Sequence, residues 1–213
     1  MQKGHCGAAP NGDAPFDFTG HMRRLCADMA QRLSELGHVD MGRVAIRFCQ
    51  VRKSAAHGLQ ATLTPMRFAD GALHDMRRSG RWAVQPLHDE AGREMLYLLS
   101  FYLPRFLNHP LAEKLSIVIH ELWHIGPAFD GDLRRHPGRC YAHSHSQKAY
   151  DAAMGRLVDK WLGLGVPAAV YDFLQFDFGQ LQRRHGAVVG HRIPTPKLVR
   201  VRGSAGAGHN SPA

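Results

Sequence analysis

Cysteine is scarce in this chain and scattered. Cys6, Cys26, Cys49 and Cys140 show no C-x-x-C spacing, which argues against a disulfide framework and against a separate zinc ribbon. They read as reduced thiols, with Cys26 and Cys49 expected in the core. Long apolar runs are also missing, and the start, Met1-Gln2-Lys3-Gly4-His5-Cys6, lacks the apolar centre of a secretory signal. The expectation is a cytoplasmic protein with no membrane partner. Acidic residues are few, 18 Asp and Glu against 27 Lys and Arg, so the net charge is +9 and acidic partners, nucleic acid among them, come into view. The excess is dispersed through Arg23-Arg24, Arg52-Lys53, Arg77-Arg78, Arg134-Arg135, Arg183-Arg184 and Lys197 to Arg202. With no stripe of interleaved aromatics, a solvated basic surface is the commoner explanation, and nucleic acid stays a secondary expectation. There is no internal repeat of meaningful length.

Histidine, by contrast, is abundant at 15 residues, and two of them carry the strongest signal. The run Ile117-Val118-Ile119-His120-Glu121-Leu122-Trp123-His124 places two histidines four apart with a glutamate after the first. On a helix, positions i and i+4 share a face, so both imidazoles can hold one metal while Glu121 reaches the water bound to it. Leu111, Leu115, Val118 and Leu122 recur at helical spacing, widened by Ile119 and Trp123, and the histidines fall off that stripe. Pro110 suits the start of this helix and Gly126-Pro127 its end. An ordinary core helix with two histidines on its polar edge is the bland alternative.

The chemistry follows from the residue types. Zinc held by two neutral imidazoles and a third protein ligand keeps one position for water, lowers its pKa towards ~7 and polarises a scissile carbonyl. Glu121 is then the general base, taking a proton from that water and handing it to the departing amine.

For the third ligand the sequence offers several candidates, of which His143 ranks first, followed by His136, Asp130 and His145. Asp130 lies six residues after His124, the interval at which metzincin-like proteins place a third ligand, but the glycine of the intervening turn is displaced to Gly126. His136 sits in Arg134-Arg135-His136-Pro137-Gly138, which reads equally well as a basic turn. His143 and His145 precede a second helix, from about Gln147 to Leu164, with Tyr150, Met154, Leu157, Val158 and Trp161 as its stripe. Ser144 or Ser146 could cap that helix. Asp151 is a lesser candidate, as a ligand or as a carboxylate orienting a ligand imidazole. Tyr141 is a candidate oxyanion donor, although a packed aromatic is the more ordinary role.

The block from His120-Glu121-Leu122-Trp123-His124 through Ile125-Gly126-Pro127-Ala128-Phe129-Asp130-Gly131-Asp132-Leu133-Arg134-Arg135 resembles the phage metallopeptidase family, small zincin-like proteins of phages, prophages, bacteria and archaea. Supporting pieces are Arg52-Lys53-Ser54 with His57-Gly58 upstream, and Gly138-Arg139 and Ser146-Gln147-Lys148 with Tyr150-Asp151 downstream. The resemblance runs from about Val44 to Leu164. It implies a metal-binding H-E-x-x-H site at His120, Glu121 and His124, and supplies no substrate.

The predicted organisation is an N-terminal segment, 1–15, rich in Gly, Ala, Pro and Asn and expected to be disordered; one domain over 16–186; and a basic, flexible tail over 187–213. A first helix is expected over about Thr19 to Leu36, ended by Gly37. Val44, Ile46 and Phe48 alternate as in a half-buried strand, and Leu59, Ala61 and Leu63 likewise. Met95 to Leu103 reads as a central strand covered on both faces, and Val166 to Gln182 as a closing helix. Together these predict an α+β zincin-like domain, a small mixed sheet packed on helices with the H-E-x-x-H helix beside it. Bordering the cleft is one role open to His57 and Gly58, and a plain turn is the more ordinary one.

The functional expectation is a zinc metallopeptidase acting on a peptide or protein substrate. The alternatives are a zinc amidase acting on a non-peptide amide, and a basic nucleic-acid-associated protein whose zinc is structural or inactive.

Overall fold

The computed structural model describes residues 14–51, 58–135 and 147–201, leaving aside the side chains of 147–149. The fold is mixed α+β. Its centre is a three-stranded sheet in which β6 (Tyr97–Leu103) lies between β2 (Val44–Gln50), parallel to it, and β3 (Ala61–Pro65), antiparallel to it. The register sets Ile46 opposite Leu99 and Leu63 opposite Leu99 from the other side. As its continuous apolar run predicts, β6 is the central strand, and all of it but Tyr102 is buried.

Helices cover one face of this sheet. Helix α1 (Phe18–Arg32) begins at Asp17, whose carboxylate accepts from the Gly20 N–H at 3.0 Å, and buries Met22, Leu25, Cys26 and Met29. The helix expected to reach Leu36 stops at Arg32, because Leu33 turns to extended backbone and a short 3-10 turn, Ser34–Leu36, follows. Leu33 and Leu36 remain fully buried, so the apolar pattern holds although its last turn is not α-helical. Helix α2 (Leu111–Trp123) starts directly after Pro110, and α3 (Gln147–Gly163) packs beside it and buries Tyr150, Met154, Val158 and Trp161 in the core.

The other face of β2 is covered as well, which corrects the half-buried expectation for that strand. Arg47 is buried because its guanidinium donates to Ser100 Oγ at 2.8 Å, to the Ile193 carbonyl at 2.8 Å and to Thr195 Oγ1 at 2.9 Å. A buried cation with donors spent on three acceptors avoids most of the cost of leaving water. The chain that supplies two of those acceptors lies in the expected tail. Its described part, 187–201, contributes β7 (Val188–Val189), parallel to β1 (Phe16–Asp17), and β8 (Leu198–Arg200).

Val166 to Gln182 is not one helix. Two 3-10 turns, Ala168–Val170 and Asp172–Gln175, precede a short α4 (Phe178–His185). Asp177 decides the break: its side chain caps Gln180 N at 2.6 Å while Gln180 Oε1 accepts from Asp177 N at 2.7 Å, a reciprocal box that starts a new helix at Phe178. Phe173, Leu174 and Leu181 still close the core.

A second sheet was not foreseen. Strands β4 (Asp75–Arg77) and β5 (Gly80–Val84) form a hairpin, and β8 adds antiparallel to β5. No helix among the described residues is long and apolar enough to cross a membrane.

Candidate metal centre

Helix α2 buries Leu115, Val118, Ile119 and Leu122 and so turns its other side towards α3 and the edge strand β3. On that side the helical repeat brings His120 and His124 together: their Nε2 atoms stand 2.9 Å apart, with the rings at 78°. Tetrahedral ligands about 2.0–2.1 Å from zinc stand about 3.3 Å from each other. The two nitrogens therefore fit a shared metal after a shift of a few tenths of an ångström. His124 is the residue that ends the helix, its N–H shared between the carbonyls of His120 and Glu121.

Glu121 lies at the inner edge of this pair and is buried. The main-chain N–H of Leu63 donates to its carboxylate, but burial outweighs that bond and pushes the carboxyl up to about 7. Leu63 belongs to the outer side of β3. Met66 N donates to Leu96 O and Tyr102 N to Gln60 O, so even-numbered positions turn their main chain to β6, while Ala61 and Leu63 turn theirs outward.

After the helix the chain makes a closed loop. Ile125 bridges Leu133, Gly126 N donates to Asp132 O at 3.1 Å, and Arg134 N returns to His124 O at 2.7 Å. Tyr97 of β6 fastens the loop from beneath, its hydroxyl donating to Asp132 O at 2.8 Å and accepting from Gly131 N at 3.1 Å. Gly131 has φ +95°, and a Cβ there would come within 2.5 Å of Arg67 Cγ, so the position requires glycine. Burial raises the Asp132 carboxyl, but the Arg135 guanidinium and the N–H groups of Leu133 and Asp70 outweigh it and hold it below the usual range.

Two side chains beside the pair were missed as site residues. Tyr150 sets its ring against His120 at 5.0 Å, edge to face, and burial together with the nearby Glu121 charge pushes its hydroxyl up to about 12, against the pull of Arg134. Arg134 lies with its guanidinium 4.1 Å over the Trp123 ring and donates from Nε to the Trp123 carbonyl at 2.8 Å. Tyr150 was legible only as a member of the α3 stripe. Nothing in one sequence distinguishes a stripe residue over His120 from one over leucine.

The third ligand is not assembled among the described residues, where no group of three His, Cys, Asp or Glu side chains is poised for a metal. Asp130 is turned elsewhere: its carboxylate accepts from Asp132 N at 3.0 Å and packs against Gly71. Asp151 is exposed on α3. His136, His143 and His145 lie outside the described residues, as do Tyr141 and His57. Two cavities, of about 560 Å³ beside Phe16, His21 and His185 and of about 640 Å³ beside His88, Arg93 and His191, do not border the pair.

No family model, no curated protein and no solved structure matches the chain.

Proposed function

We propose that this protein is a zinc-dependent metallopeptidase with a zincin-like arrangement, related to the phage metallopeptidase family. The observation that carries the reading is the convergence of His120 and His124 Nε2 to 2.9 Å beside the buried carboxylate of Glu121. A purely structural zinc site has no use for a buried acid beside its ligands. Zinc would be held by His120, His124 and a third residue, His143 before His136 or His145, and when bound it lowers the pKa of a water and polarises a carbonyl. Of the described residues flanking those candidates, Arg134 donates its N–H to the His124 carbonyl and Tyr150 sets its ring against His120.

The chain's own residues then divide the work. Glu121 takes the proton of the attacking water on a carboxylate oxygen and returns it to the leaving amine, and a carboxyl raised towards neutrality suits both halves of that transfer. The Leu63 N–H fixes the carboxylate's orientation. With the Leu63 N–H spent on Glu121, the outward groups left on β3 are the Ala61 N–H and the carbonyls of Ala61 and Leu63, which can pair with an extended peptide passing Glu121. Tyr150, against the His120 ring, and Arg134, over Trp123, are donors suited to the charge that develops on the carbonyl oxygen.

The test is zinc content of the purified protein, wild type beside His120→Ala and His124→Ala, followed by hydrolysis of a peptide library. Near-stoichiometric zinc lost in both variants, with cleavage that needs Glu121, supports the reading. A wild-type protein that takes up no zinc after reconstitution overturns it.

A further inference from the structure

Five of the basic residues dispersed along the chain are gathered by the second sheet. β8 pairs with β5 in a register that sets Arg200 opposite Trp82 and Val199 opposite Ala83, while Arg81 faces Met76 across the hairpin. Arg77, Arg78 and Arg81 thus share one small ribbon with Lys197 and Arg200, more than a hundred positions away in the sequence. Within 75–84 and 197–201 the one carboxylate is Asp75, which pairs with Arg77 at 2.8 Å. Among the described residues no carboxylate pairs with Arg78, Arg81, Lys197 or Arg200.

The ribbon lies outside the core. None of its strand residues is buried, and Met76, Leu198 and Val199 are exposed although apolar. Side chains alternate between its faces. Register therefore places Arg77, Trp82 and Arg200 on one face, and Arg81, Lys197 and Val199 on the other. A structural account of these charges is that they blunt the exposed edges β4 and β8 against pairing. That account explains charge of either sign; here the ribbon positions carry five cations and a single acid.

We infer that this ribbon is a docking element for double-stranded DNA, seated in the major groove with its cations on the phosphates of both walls. Charge on both faces decides between polyanions. An element that lies on a lipid surface needs one charged and one apolar face, whereas one that enters a groove meets a phosphate wall on either side. The major groove of B-form DNA admits a two-stranded β-ribbon, here the pair β5 and β8 that carries Arg81, Lys197 and Arg200, and the deep, narrow major groove of A-form RNA does not. Guanidinium forks match phosphate oxygens. The exposed Met76 and Val199 suit the apolar edge that thymine methyls present. This inference does not depend on the metal centre.

The experiment is fluorescence anisotropy of a labelled 20-base-pair DNA duplex titrated with the full chain between 50 and 200 mM salt. Four phosphates neutralised by Arg78, Arg81, Lys197 and Arg200 imply a slope of log K against log salt near −3.6, about a hundredfold loss of affinity over that range. Arg81→Gln with Arg200→Gln is expected to make the slope shallower by about 1.8. Both side chains are exposed, so the fold survives the change. The control is Arg24→Gln with Arg156→Gln, which removes the same charge from exposed helical positions and is expected to leave the slope unchanged. Equal effects of the two pairs would make the binding diffuse and overturn the inference. No binding at 50 mM salt, a preference for duplex RNA, or retention only on vesicles of anionic phospholipid would overturn it as well.

Discussion

The main-chain N–H of Leu63 donates to the carboxylate of Glu121, so the outer edge of the central sheet and the motif helix meet in one hydrogen bond. Around this bond the acid, the two imidazoles and the strand edge occupy one place. Glu121→Gln isolates the acid's role, since an amide oxygen still accepts from Leu63. The variant is expected to keep its zinc and fold while losing about 10²- to 10⁴-fold in turnover. Full activity on a true peptide substrate would exclude Glu121 as the base.

Alanine at His120 or His124 is expected to abolish zinc retention, read by elemental analysis after dialysis. Asp130→Ala is expected to keep zinc, because that carboxylate serves Asp132 N and lies against Gly71. One change among His136, His143 and His145 should then lose it. Zinc loss in Asp130→Ala with retention in all three histidine variants would reverse the ranking.

Tyr97 ties the loop after the motif helix to the sheet through two hydrogen bonds in a fully buried position. Tyr97→Phe leaves the Asp132 carbonyl and Gly131 N–H without that partner at nearly unchanged volume. The expected cost is about 1–3 kcal/mol, measured as a shift in urea midpoint at constant m-value. No shift would mean that the loop holds itself.

Lys114 points inward from α2, its Nζ donating to the carbonyls of Leu174 at 2.7 Å and Phe176 at 3.0 Å, and burial lowers its pKa from 10.5 to about 8. Between those values the unfolded chain binds a proton that the native one has lost. This residue's contribution to stability therefore rises with pH, by up to ~1.4 kcal/mol per unit. Lys114→Met is expected to remove that rise, so the wild-type advantage over the variant should grow between pH 8 and pH 9 in paired urea titrations. Curves that stay parallel across that interval would show an ammonium kept charged by its two carbonyls.

Cys26 and Cys49 divide the expectation that both pack inside. Cys26 is fully buried and its thiol is pushed up to about 12 by that burial, while Cys49, near the end of β2, is only half-buried. Strand alternation alone does not show that the cover thins at the end of β2.

Local pattern carried much of the molecule. The stripe Leu115, Val118 and Leu122 locates α2, the apolar run into Leu103 locates the central strand, and the i, i+4 spacing by itself puts His120 and His124 on one face. These features depend on neighbours within one or two turns, and the helical and strand periods translate them directly into position. What tertiary structure alone decided is every relation between distant segments. It set Leu63 against Glu121 and Tyr150 against His120, buried Arg47 under a segment nearly 150 positions later, and joined Arg81 to Arg200 in one basic ribbon. Such pairings are set by how sheets close and which faces remain to be covered. That choice is made by packing the whole chain, and no local period records it.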